Sequence, residues 1–181
     1  FMGDAVAQVL FGDYNPGGKL PVTFPRSVGQ IPYAFPFKPG SQSDGRVRVT
    51  GSLYPFGYGL SYTTFSYSDL VIENKEISIH DQVQLRCKVK NTGAVTGDEV
   101  VQLYIRDDYS SVTTYVKVLR GFERIKLRPG EEKEVCFTLT SQDLGLWSKN
   151  NVFEVEPGSF SVMIGSSSED IRLSGSFVVL K

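Results

Sequence analysis

Val83-Gln84-Leu85-Arg86-Cys87-Lys88-Val89-Lys90 alternates apolar and polar side chains without interruption. Successive side chains on a strand point to opposite faces, so Val83, Leu85, Cys87 and Val89 share one face and the polar residues the other. This is the pattern of a strand with one face buried and one face wet. The pattern recurs downstream. Val101, Leu103 and Ile105 interleave with Gln102, Tyr104 and Arg106, and Val135, Phe137 and Leu139 with Glu134 and Thr138. Phe160, Val162 and Ile164 interleave with Ser159 and Ser161.

Turn signals separate these runs: Asn91-Thr92-Gly93, Pro129-Gly130 and Pro157-Gly158. About seven short strands at this spacing predict an immunoglobulin-like, fibronectin III-like β-sandwich from about residue 64 to 181. Val83, Leu85, Val101, Leu103, Val135, Phe137, Phe160 and Val162 are its expected core. The single Trp147 is expected to plug that core or its edge. Cys87 lies in phase with its apolar neighbours, whereas Cys136 lies out of phase with Val135 and Phe137. One thiol therefore points in and the other out, and two free thiols are expected.

Residues 1–63 read differently, being rich in proline and glycine and lacking a sustained period. Ala5, Val6, Val9 and Leu10 sit at helical spacing within Asp4–Phe11, with Gly12 as the stop. Asn15-Pro16-Gly17-Gly18 is a strong turn, and Lys19 to Pro25 is an extended stretch bounded by prolines. Ile31 to Phe37 is apolar but broken by Pro32 and Pro36, and residues 38–45 form a polar, turn-rich loop. Such a segment cannot close a core alone; it reads as the end of one domain and a connector.

Lys plus Arg (19) nearly balance Asp plus Glu (20) over the 181 residues, a net charge of −1. That balance speaks against a nucleic-acid surface and against a polybasic membrane patch. No apolar run approaches the roughly 18–20 residues that span a bilayer, and Phe1-Met2-Gly3-Asp4 lacks the basic and apolar segments of a signal peptide.

The acidic residues come in adjacent pairs, Asp98-Glu99, Asp107-Asp108, Glu131-Glu132 and Glu169-Asp170. Neighbours on a strand face opposite ways, so solvated turn charges are expected rather than two opposed catalytic carboxylates. A calcium site at Asp107-Asp108 lacks the loop of alternating ligands that such sites use. His80, the only histidine, is expected in a solvent-facing loop, and Gly57-Tyr58-Gly59 lacks both the third glycine and the strand–helix context of a dinucleotide loop. The aromatic cluster Tyr54, Phe56, Tyr58, Tyr62, Phe65 and Tyr67 has two readings. Its rings either glue the sandwich to the preceding domain or stack on sugar rings.

Gly12-Asp13-Tyr14-Asn15-Pro16-Gly17-Gly18-Lys19-Leu20-Pro21-Val22-Thr23-Phe24-Pro25 resembles the end of the second domain of glycoside hydrolase family 3. Leu53-Tyr54-Pro55-Phe56-Gly57-Tyr58-Gly59-Leu60-Ser61-Tyr62-Thr63-Thr64-Phe65 resembles the junction into that family's fibronectin III-like domain. Gly97-Asp98-Glu99-Val100-Val101-Gln102-Leu103-Tyr104 and Leu119-Arg120-Gly121-Phe122-Glu123-Arg124-Ile125 are similar to strands of that domain. Tyr115 departs from the family, which often has proline before the Val-Lys pair.

The resemblance implies a mainly β chain with three parts: the end of an α/β sandwich domain (1–35), an extended connector (36–63) and the fibronectin III-like β-sandwich (64–181). It implies a C-terminal scaffold of a retaining exo-β-glycosidase, a β-glucosidase ahead of a β-xylosidase, with a carbohydrate- or surface-binding module as the alternative. The family's nucleophile and acid/base lie upstream of these residues, so no catalytic, cofactor or metal residue is assigned and no cofactor is expected. Tyr54, Phe56, Tyr58 and Tyr62 remain as interface or sugar-contacting aromatics. The implied partners are the parent's N-terminal barrel and α/β sandwich domains, with oligosaccharide as a further candidate and neither nucleic acid nor membrane. The compartment stays open, a periplasmic or secreted parent being favoured over a cytoplasmic one.

Overall fold

The computed structural model describes residues 1–42 and 51–181; the last part of the polar loop expected at 38–45 lies outside them. The periodic apolar residues at the start form helix α1 (Met2–Phe11), which ends where Gly12 turns left-handed at φ 86°. The proline-bounded stretch contributes only a short strand, β1 (Phe24–Pro25), which pairs antiparallel with β2 (Ser52–Tyr54). Between them, Ser27 and Gln30 close one turn of 3-10 helix through a reciprocal capping box.

The alternating runs form the sandwich. Its strands are β3 (Phe65–Ile72), β4 (Glu76–Ser78), β5 (Val83–Asn91), β6 (Gly97–Asp107), β7 (Val118–Leu127) and β8 (Glu132–Leu139). The short helix α2 (Ser141–Leu144) and the small hairpin of β9 (Leu146–Trp147) and β10 (Phe153–Glu154) then lead to β11 (Gly158–Gly165) and β12 (Ile171–Leu180). One sheet has the order β3-β5-β8 and the facing sheet β4-β12-β11-β6-β7. Only β4 and β12 run parallel within them.

All eight residues expected in the core are buried together, joined by Leu127, Leu139, Ile164 and Phe177, and Phe160 stacks on Phe177 with ring centroids 5.4 Å apart. Each such side chain contributes roughly 1.5–3 kcal/mol on burial. The turn after β5 is closed by Asn91, whose buried side chain donates to the Val95 and Leu127 carbonyls and accepts from Thr63 and Gly93.

Two expectations fail. Gln102 and Tyr104 are not on a wet face: both are buried, because Phe35, Phe56 and Gly57 lie over the outer side of β6. Trp147 does not plug the core: it is 63% exposed on the β9–β10 hairpin.

The cysteines follow their phases. Cys87 is buried and Cys136 exposed, and they lie on neighbouring strands where Cys87 pairs with Val135 and Arg86 with Cys136. Burial, aided by the charges of Cys136, Glu123 and Glu134, pushes the Cys87 thiol up to about 11. A thiol reagent at neutral pH should therefore count one reactive group in the native protein and two after denaturation. A second fast-reacting thiol in the native state would mean that β5 is misplaced.

Candidate functional site

The polar side chains that the fold brings together lie where the segment before residue 63 meets the sandwich. On the outer face of β6, the Gln102 amide donates to the Gly57 carbonyl at 3.1 Å and to the Ser166 carbonyl at 2.7 Å. Its oxygen accepts from the Tyr104 hydroxyl. Gly57 has φ 81°, and a Cβ there would stand 2.1 Å from the Gln102 oxygen, so only glycine lets the backbone settle on this side chain. Gly59 is constrained in the same way by the Gly18 carbonyl, 2.4 Å from where its Cβ would be. The covering segment is then stitched by backbone bonds: Leu20 donates to Tyr58, Gly57 to Leu20, and Ser168 to Phe56.

The aromatics of the segment divide among different partners. Phe56 stacks on Phe35 at 4.8 Å, and Phe35 meets the Tyr104 ring edge-on at 5.7 Å. Tyr54 and Tyr58 lie 5.1 Å apart, with Phe24 edge-on to Tyr54. Tyr62 stands away from both groups, its hydroxyl donating to the Val9 carbonyl of α1 at 2.6 Å. Phe65 and Tyr67 belong to β3 and pack against the core.

A second contact joins the same segment to the edge between the sheets. Glu99 accepts from the Tyr67 hydroxyl at 2.9 Å and pairs with Lys19 at 3.2 Å; the two charged side chains are only 5% and 13% exposed. Lys19 also donates to the Ser166 hydroxyl. Asn15 completes the seam, donating to the Thr96 carbonyl and accepting from the Tyr62 amide and the Ser61 hydroxyl. Glu99 is thus no solvated turn charge. It lies in phase with Val101, Leu103 and Ile105 on β6, a position that the reading of Asp98-Glu99 as a surface pair missed. The other acidic pairs do sit at strand ends and turns. Glu169 accepts from Ser52, Asp170 pairs with Arg172, and Asp108 pairs with Arg106 and accepts from Ser159 and Ser161. His80 is exposed in the turn after β4.

Burial raises the Glu99 pKa above the usual carboxylate range, against the opposing pull of Lys19, of the Tyr67 hydrogen bond and of Arg172. Folded Glu99 therefore holds its proton more tightly than unfolded Glu99. Its charge costs stability at neutral pH, and that cost is relieved as pH falls through the folded pKa towards the unfolded one. Removing Lys19 leaves the buried charge with the Tyr67 hydroxyl but without its ion-pair partner, and breaking a buried pair in this way typically costs about 3 kcal/mol. The Lys19→Met variant should show such a deficit in urea unfolding at neutral pH and a smaller one under acid, where a protonated Glu99 needs no counter-charge. A deficit independent of pH would contradict the pairing.

Comparison with known proteins accounts for both parts of this seam. The profile of the glycosyl hydrolase family 3 C-terminal domain matches residues 2–62, and that of the fibronectin type III-like domain matches residues 99–168. A β-xylosidase of Formosa agariphila is 48% identical over 171 residues, covering 92% of this chain and 24% of the relative. The periplasmic β-glucosidase of Salmonella typhimurium is 43% identical over 189 residues, covering 98% of this chain and 25% of the relative. Among solved structures, a β-glucosidase of Erythrobacter marinus superposes with a TM-score of 0.92 at 39% identity, over 98% of this chain and 24% of that one. The β-glucosidase of Listeria innocua in complex with glucose gives 0.87 at 33% identity, over 99% of this chain and 26% of that one. The chain thus spans about a quarter of the length of the relatives that it matches. It belongs to glycoside hydrolase family 3, as the C-terminal region in which a segment of the family's C-terminal domain is joined to a fibronectin type III-like sandwich.

Proposed function

We propose that this chain is the non-catalytic C-terminal scaffold of a retaining exo-β-glycosidase, with β-glucosides ahead of β-xylosides as substrates. The observation that carries the reading is the seam itself. Residues from the family's C-terminal domain, Asn15 to Lys19 and Phe56 to Tyr62, are fastened to the sandwich by Gln102, Glu99 and Thr96. A sandwich that grips the preceding domain in this way fixes where that domain sits. We divide the chain into the end of an α/β sandwich domain (1–35), a connector (36–63) and the sandwich (64–181). Phe56 and Tyr58 then act as interface aromatics rather than as a sugar platform.

The carboxylates agree with a scaffold. Burial raises the pKa of both Glu99 and Asp107. They stand at opposite ends of β6, eight residues and therefore roughly 26 Å apart by strand rise. A retaining pair needs about 5–5.5 Å. The exposed apolar side chains of α1, Met2, Val6, Leu10 and Phe11, offer a surface for the rest of the parent's α/β sandwich domain, with the barrel domain beyond it.

Assays with aryl β-glucosides and β-xylosides should find no turnover by the purified 181-residue chain and robust turnover by the full polypeptide of which it forms part. Turnover by the isolated chain that is lost in Glu99→Gln would overturn the assignment.

A further inference from the structure

The end of the sandwich away from Glu99 carries a cleft that neither the seam nor the proposed scaffold role uses. Its volume is about 470 Å3, within the range of roughly 300–1,000 Å3 typical of small-molecule sites. Ile105, Val118, Leu144 and Phe160 contribute apolar lining, and Tyr115, Trp147 and Phe153 contribute aromatic rings.

The aromatic wall is held in place. Trp147 pairs directly with Phe153 across the β9–β10 hairpin, their rings edge-to-face at 5.8 Å. Phe153 in turn lies against Gly145, where a Cβ would come within 2.5 Å of its ring. Asp143 anchors the start of α2 by accepting from the Thr140 amide and hydroxyl. The lining stretch Val112 to Tyr115 is tied down at its start, where Ser111 donates its amide to Glu156 and the Ser110 hydroxyl donates to the Val112 carbonyl. An indole that stays 63% exposed on so constrained a hairpin presents a fixed apolar surface.

Asp107 is one of the polar lining residues, with Lys38, Arg106, Arg120 and Asp143. It lines the cleft, and its Oδ1 accepts from the Tyr109 amide at 3.1 Å. Its Oδ2 is buried with no hydrogen-bond partner among the described residues. A buried acceptor without a donor is unfavourable by about 1–3 kcal/mol. Burial and the charges of Glu156 and Asp108 also raise the pKa of this carboxyl. Turned towards the cleft, the carboxyl would give this closed-off oxygen the donor that it lacks. Among the described residues, no group of three or more His, Cys, Asp or Glu side chains is placed to hold a metal ion. A neutral hydroxyl fits without the multiple ligands a cation would need.

We propose that this cleft is a saccharide-binding subsite in which Trp147 stacks on the apolar face of a pyranose ring and Asp107 accepts from its hydroxyls. A pyranose joins these two chemistries in one molecule, a face of C–H groups and a rim of hydroxyl donors, and the volume admits such a ligand. The site is separate from Tyr54, Phe56, Tyr58 and Tyr62, and it does not depend on what the parent hydrolyses.

Trp147 is the only tryptophan, so its emission reports on the cleft alone. Titration of the chain with cellobiose and xylobiose should give a saturable change in that emission for at least one of them. Asp107→Ala should weaken the apparent affinity about tenfold or more, a loss of about 1.4 kcal/mol. Saturation-transfer NMR should show transfer to the same sugar with the native chain, none with Trp147→Ala and unchanged transfer with Tyr54→Ala. Because Trp147 is exposed, its replacement leaves the core intact, which circular dichroism checks. A non-saturating response, transfer that survives in Trp147→Ala, or a cleft that takes an apolar peptide and no sugar would overturn the proposal.

Discussion

The structure depends on one strand being dry on both sides. The inward face of β6 enters the sandwich core through Val101, Leu103 and Ile105, while its outward face carries Gln102 and Tyr104 under the segment that precedes the sandwich. A glutamine can be buried there because its amide has two donors and one carbonyl acceptor, and the surroundings satisfy them with Gly57, Ser166 and Tyr104. Each of those groups left unpaired in a buried setting costs about 1–3 kcal/mol. The same side chain thus makes docking of the segment favourable and fixes its register, since a shift of one residue would bring a Cβ into the space that Gly57 leaves open.

Much of the fold was legible because alternation is a local property. The phases of Val83 to Val89, Val135 to Leu139 and Phe160 to Ile164 place the core, and the opposite phases of Cys87 and Cys136 separate the thiols. What alternation cannot say is whether the second face of a strand is covered, because the cover comes from far away in sequence. The signal was nonetheless present: from Val100 to Ile105 no residue is charged, and strands buried on both faces read as such runs. Glu99 could have been found by extending the inward phase one step back from Val101. Trp147 was misplaced because a two-residue strand is too short to have a phase.

The seam was less legible than the sandwich. Phe24, Phe35 and the pair Gly17-Gly18 are interspersed with prolines and show no period, so their partners Tyr54, Phe56, Asp98 and Gly59 could not be read from spacing. Family resemblance pointed to residues 53–65 as the junction, whereas the side-chain contacts that hold the seam join residues far apart in sequence. Stacked rings, a buried ion pair and a shared amide make the contact between the two matched regions as specific as a core, and such contacts confer orientation at least as much as stability.

Native-state hydrogen exchange tests this account most directly, through the amides of Leu20 and Gly57, which bond to Tyr58 and Leu20 across the seam. If the segment is an integral layer of the sandwich, these amides exchange with protection comparable to that of Leu103 in β6. Near-free exchange at Leu20 and Gly57, with Leu103 still protected, would show that the segment detaches while the sandwich stays folded, and would contradict the claim that β6 is dry on both faces.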